Sequence, residues 1–82
     1  MYRLIFENSV GEKTAIRDFD TYKNAIQGMM TWLKGHAYEP PYIRTTANDK
    51  DYEVWLDVGS HTEFFYIQAE TEEEFKKIFV ED

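Results

Sequence analysis

The sequence predicts an α+β domain with element order ββαβββα, a mainly antiparallel sheet of about five strands and two helices mainly on one of its faces. Three observations predict it. One segment, Asp20 to Lys34, repeats its apolar residues every three or four positions. Five shorter segments alternate apolar and polar residues at period two. A Thr-Glu-Glu-Glu run near the end of the chain has the form of a helix start. Eighty-two residues without repeats, low-complexity tracts or a linker imply one compact domain, residues 1–82.

The elements follow in chain order. Tyr2 to Phe6 is a strand with Tyr2, Leu4 and Phe6 on one side, and Thr14 to Arg17 pairs back with it through a connection containing Gly11. The first helix starts at Asp20, whose carboxylate suits the N-cap, because it can accept from an unpaired amide of the first turn. Tyr22, Ala25, Ile26, Met29, Met30 and Leu33 form its apolar stripe, and Lys34 followed by Gly35 closes it. Gly28 inside the helix is either a close-packing site or a solvent-side glycine. Pro40 and Pro41 mark a connection. Tyr42 to Thr46, Tyr52 to Val58 and Thr62 to Ala69 then form a meander, joined by a four-residue turn at Ala47–Lys50 and a two-residue hairpin loop at Gly59–Ser60. The second helix opens at Thr71 and buries Phe75, Ile78 and Phe79.

Those loops set a register, and the register sorts the meander into two faces. Ile43, Tyr52, Val54, Leu56, Val58, Phe65 and Ile67 fall on the face the helices cover. Tyr42, Arg44, Glu53, Trp55, Asp57, Thr62, Phe64 and Tyr66 fall on the other, with Tyr42, Trp55 and Phe64 in one cross-strand row. The solvent face of an antiparallel sheet is normally polar, and four aromatics on one is an interface signal. The competing readings are a second small core, covered by the second helix or by the Tyr38–Pro41 loop, and self-association through this face.

Charge narrows the partners. Acids outnumber bases 16 to 9, and the net charge of −7 lies wholly in residues 42–82, since residues 1–41 carry five of each. That balance disfavours direct contact with nucleic acid or with an anionic membrane, and favours a basic or apolar partner. No apolar run approaches the roughly 18–20 residues of a membrane span, and the opening residues do not read as a secretory signal. With no cysteine in the chain, the expectation is a cytoplasmic protein.

Catalytic chemistry finds little support. Ser60 and His61 are adjacent on a turn running into a strand, a poor arrangement for a nucleophile and its base. His61 and Glu63 share a face, but no third metal ligand follows at a recognisable spacing, and Asp49–Glu53 lacks the glycine and closing glutamate of a calcium loop. No enzyme, metal or cofactor is expected. The sequence therefore points to a small acidic protein-binding module, an inhibitor or adaptor, using Tyr42, Arg44, Asp51, Glu53, Trp55, Asp57, Phe64 and Tyr66. The alternative is a nucleic-acid-mimic inhibitor of the kind phages and mobile elements encode. In that reading Asp51, Glu53 and Asp57, at steps of about 6.6 Å along a strand, imitate phosphates. Glu70, Glu72–Glu74, Glu81 and Asp82 supply a second acidic group.

Overall fold

The computed structural model describes residues 1–80. It contains β1 (Tyr2–Glu7), β2 (Lys13–Phe19), α1 (Tyr22–Gly35), β3 (Arg44–Asn48), β4 (Glu53–Asp57), β5 (Phe64–Ala69) and α2 (Glu72–Lys77). The strands form one antiparallel sheet in the order β2-β1-β5-β4-β3, and the fold is the expected α+β arrangement. Glu81 and Asp82 lie outside the described residues. No helix among the described residues is long and apolar enough to cross a membrane.

Both helices lie on one face. Ala25, Met29 and Leu33 of α1 and Phe75 of α2 pack with Tyr2, Leu4, Val54, Leu56, Val58, Phe65, Ile67 and Ala69 to make the core. Strands β4 and β5 alternate strictly between half-buried and buried residues, the signature of a sheet covered on one side. On α1, Tyr22, Ile26 and Trp32 complete the stripe, whereas Met30 is 40% exposed. Trp32 belongs to the core side because it stands three residues after Met29, and its ring meets Phe6 at 4.6 Å and Phe65 at 5.2 Å. Phe79, expected in the core, is 57% exposed because α2 ends at Lys77.

Helix ends differ from expectation by one or two residues. Thr21, not Asp20, caps α1, its Oγ1 accepting from the Asn24 amide at 3.0 Å. At the other end Gly35 is still helical, and the left-handed position falls on Ala37, φ 55°. The Tyr38 amide donates to Leu33 O and the Ala37 amide to Lys34 O, the paired bonds of a Schellman turn. Gly28 is a close-packing site: a methyl group there would overlap the Phe19 ring.

The two hairpins keep their faces but not their expected registers. Trp55 pairs with Tyr66 rather than Phe64, a slip of two, because the loop between β4 and β5 runs from Val58 to Glu63. Asp57 Oδ1 accepts from the Gly59 amide at 3.0 Å and Ser60 Oγ from the Glu63 amide at 3.2 Å, so side chains hold this wider loop. Arg44 pairs with Asp57, whereas a loop at Ala47–Lys50 would set it opposite Glu53, a slip of four. The turn between β3 and β4 occupies residues 49–52, with Asn48 Oδ1 accepting from the Lys50 amide and Asn48 Nδ2 donating to Asp51. Tyr52 therefore leaves the strand, with φ 53°, and its carbonyl accepts from Ala69 at 2.7 Å. Every residue of β3 is exposed, so burial does not specify its register. Ile43, expected in the core, precedes this strand and is 39% exposed.

The two sheet edges also differ. In β2 a register shift opposite Leu4 and Ile5 interrupts the ladder, while β3 runs in continuous register with β4. Ala37→Gly, which relieves a left-handed alanine, and Gly35→Ala, which meets no atom within 4 Å, should each stabilise the chain. The expected gain is about 0.5–1 kcal/mol apiece, or about 2–8 °C in Tm by circular dichroism. Gly28→Ala should lower Tm, because the Phe19 ring must move.

Candidate functional site

The outer face of the sheet carries the candidate site. On β1, the residues opposite in phase to Tyr2, Leu4 and Phe6 are Arg3, Ile5 and Glu7, and β1 sits beside β5. Its Ile5 pairs with Tyr66 and its Glu7 with Phe64. One cross-strand row therefore reads Ala15, Ile5, Tyr66, Trp55, Thr46 across all five strands. Trp55 and Phe64 lie diagonally with ring centroids 5.1 Å apart. Ile5, Trp55, Phe64 and Tyr66 are each half-buried by one another and by the sheet. Neither proposed cover lies on them. Phe75 of α2 is in the opposite core, and Tyr38 turns to the helix side, where its hydroxyl donates to Val58 O at 2.8 Å.

Polar groups frame this cluster. The Tyr66 hydroxyl donates to Glu7 Oε1 at 2.5 Å, and the Lys13 ammonium stands over the Tyr66 ring, 4.2 Å from its centroid. Burial, with the hydrogen bond and negative charge of Glu7 and the charge of Glu53, pushes the Tyr66 phenol up to about 12. Glu53 is pushed up by burial, drawn back by Lys13 and pushed further by Asp51. On the β1–β2 side, Arg3 pairs with Asp18, Nε to Oδ1 at 2.9 Å. Both groups are exposed, so this pair adds little to stability.

Of the residues expected from sequence, Trp55, Phe64, Tyr66 and Glu53 come together in or beside the cluster. Tyr42 does not join the row. It precedes β3, is 39% exposed and has the Arg44 guanidinium stacked 4.7 Å from its ring centre. Asp57 stands opposite Arg44 in register and also closes the Gly59 turn. Asp51 lies in the turn bound by Asn48, so the regular ladder of three strand acids reduces to Glu53 and Asp57. Thr62 is exposed in the loop rather than on a strand. Ile5, Glu7 and Lys13 were not expected. The period-two pattern of β1 points Ile5 and Glu7 outward, but only the placement of β1 between β2 and β5 brings them to the aromatics.

His61 is exposed in the same loop, and Ser60 uses its oxygen to accept from Glu63. Among the described residues no group of three or more His, Asp or Glu side chains is arranged to hold a metal. In comparison with known proteins, no family model, no curated protein and no solved structure matches the chain.

The phenol of Tyr66 gives a direct handle on this face. Its folded value of about 12 stands above the ordinary 10.0, so its contribution to stability is complete below pH 10 and is lost as pH rises through 12. Burial raises the Tyr22 phenol as well, so ultraviolet titration should find late-ionising phenols, of which the Tyr66 component disappears in Tyr66→Phe. Glu7→Gln should move it only part of the way down, because burial is the larger cause. A Tyr66 that titrates with the exposed tyrosines would contradict the packing described.

Proposed function

We propose that this chain is a small, acidic, non-catalytic protein-binding module of inhibitor or adaptor type, acting in the cytoplasm. Its partner is a protein with a basic surface, taken on the outer face of the sheet. The observation that carries the reading is the cluster of Ile5, Trp55, Phe64 and Tyr66 on a face that both helices leave open. Tryptophan, tyrosine and arginine are the residues enriched at binding hot spots, and half-buried aromatics held by a rigid sheet lose little freedom on docking. Glu53 and Asp57 flank Trp55 along β4, with Arg44 opposite Asp57 and Asp51 in the turn at the other end, and the strongly negative second half of the chain supplies the field that steers a basic partner. Supporting this over phosphate mimicry, Asp51 and Asp57 spend their carboxylates on local turns, and Glu53 is half-buried with a raised pKa.

The test is capture by the immobilised chain and by matched variants from lysate of its source cells, eluted with a rising salt ladder. Trp55→Ala should weaken retention of a basic partner about 30-fold or more. It should lower Tm by no more than about 8 °C, since a cross-strand pair is worth up to about 1 kcal/mol. Phe65→Ala, a core change, should cost about 3–5 kcal/mol and serves as the contrast. Retention should persist into high salt while association slows. Unchanged retention by Trp55→Ala defeats the proposal. Loss confined to a triple Asp51→Asn, Glu53→Gln, Asp57→Asn variant, with steep salt dependence, replaces it with mimicry. A concentration-dependent sedimentation profile of the chain alone, abolished by Trp55→Ala, replaces it with self-association.

A further inference from the structure

On the helix side, at the end of the sheet beneath the last turn of α1, lies a cavity of about 200 Å³ that the outer-face reading does not use. Its floor is Leu33, Val58 and Phe65, all buried. Phe6, Trp32 and Tyr38 wall it. The space equals that of about seven water molecules, too small for most drug-sized ligands and suited to one short side chain or fragment. The His36 ring lies flat on the Trp32 indole, 3.8 Å between centroids and tilted 19°, with Nδ1 2.8 Å from Trp32 O.

The rim holds the polar groups. Ser60 Oγ accepts from the Glu63 amide, which leaves its own proton to donate. Glu63 is half-buried at the rim, and its carboxylate has no ion-pair or hydrogen-bond partner among the described residues. Among the described residues it is the one carboxylate lining the cavity, and no described lysine or arginine lines it. The adjoining end of α1 is the negative end of a fourteen-residue helix, which also favours positive charge.

The geometry points to a binding site for an alkylammonium group, with a short aliphatic stem on Val58, Leu33 and the aromatic walls and the cationic head on Glu63. A carboxylate at the mouth of an apolar cavity pairs with such a ligand, whereas an anion or a carboxylic acid meets repulsion from Glu63. The same chemistry is offered by a free small amine and by a lysine side chain of a polypeptide. Because the cavity opens on the opposite side of the sheet from Trp55, it stands or falls independently of the proposed interface.

The experiment is an NMR titration of the full chain, following the Trp32 indole N–H, the Phe6 and Phe65 ring protons and the Ser60 and Glu63 amides. The probes are n-butylamine, neutral n-butanol and a capped Gly-Lys-Gly tripeptide. The expected result is saturable shifts confined to these groups with n-butylamine, with Kd on the order of 1–10 mM for so few atoms. Glu63→Gln should weaken binding about five- to ten-fold, with n-butanol weak in both proteins. Tripeptide binding at least as tight as n-butylamine identifies a lysine side chain as the source. Tripeptide failure beside n-butylamine success identifies a free amine. No shift at Trp32 or Phe65, equal response to n-butanol, or an unchanged Kd in a folded Glu63→Gln protein would overturn the assignment.

Discussion

Val54, Leu56 and Val58 of the β4 segment and Phe65 and Ile67 of β5 are buried in one cluster with Ala25, Met29 and Leu33 of α1. Most other features of the molecule depend on that cluster. A chain of this size has few apolar side chains to commit, and folding is offset chiefly by burying them away from water. Two helices of fourteen and six residues can cover one face of a five-stranded sheet and no more. Because side chains alternate along a strand, burying these five residues turns Trp55, Phe64 and Tyr66 outward. The open aromatic face is thus the geometric complement of the core.

The alternation that specifies these faces is legible in the sequence, and so are both helices and the order of the elements. The faces of β4 and β5 are legible because Val54, Leu56, Phe65 and Ile67 are large and have only one side of the sheet to go to. Register is not legible. A slip of two residues between β4 and β5, or of four between β3 and β4, leaves every side chain on its face, so apolar pattern does not distinguish the alternatives. Helix ends escape for a related reason: Asp20 and Thr21 are both competent N-caps, and Gly35 and Ala37 compete for the left-handed position that Schellman geometry assigns to Ala37. Of the candidate site, Trp55, Phe64 and Tyr66 were readable from period two alone. Ile5, Glu7 and Lys13 were not, because no local pattern says that the first strand lies between the second and the fifth.

Charge has two separate uses on this molecule. Near the aromatics it is local and structural: Glu7 accepts from Tyr66, Lys13 covers the ring, and Glu53 is held partly out of water between opposing influences. Elsewhere it is collective, a negative field concentrated in the second half of the chain and subject to screening by salt. The first kind rigidifies the face on which a partner is proposed to dock. The second governs encounter rather than fit.

The wide loop between β4 and β5 and the tight turn before β4 carry a burden that the core does not. A hairpin zipped two residues out of step buries the same rings and methyl groups as the native one, so the hydrophobic energy is nearly blind to the error. What tells the two apart is a small set of polar contacts: Asp57 to the Gly59 amide, Ser60 to the Glu63 amide, Asn48 across its turn, and the Tyr52 carbonyl on Ala69. These loop side chains act as the proofreaders of strand alignment. Their substitution threatens the uniqueness of the native state more than its compactness.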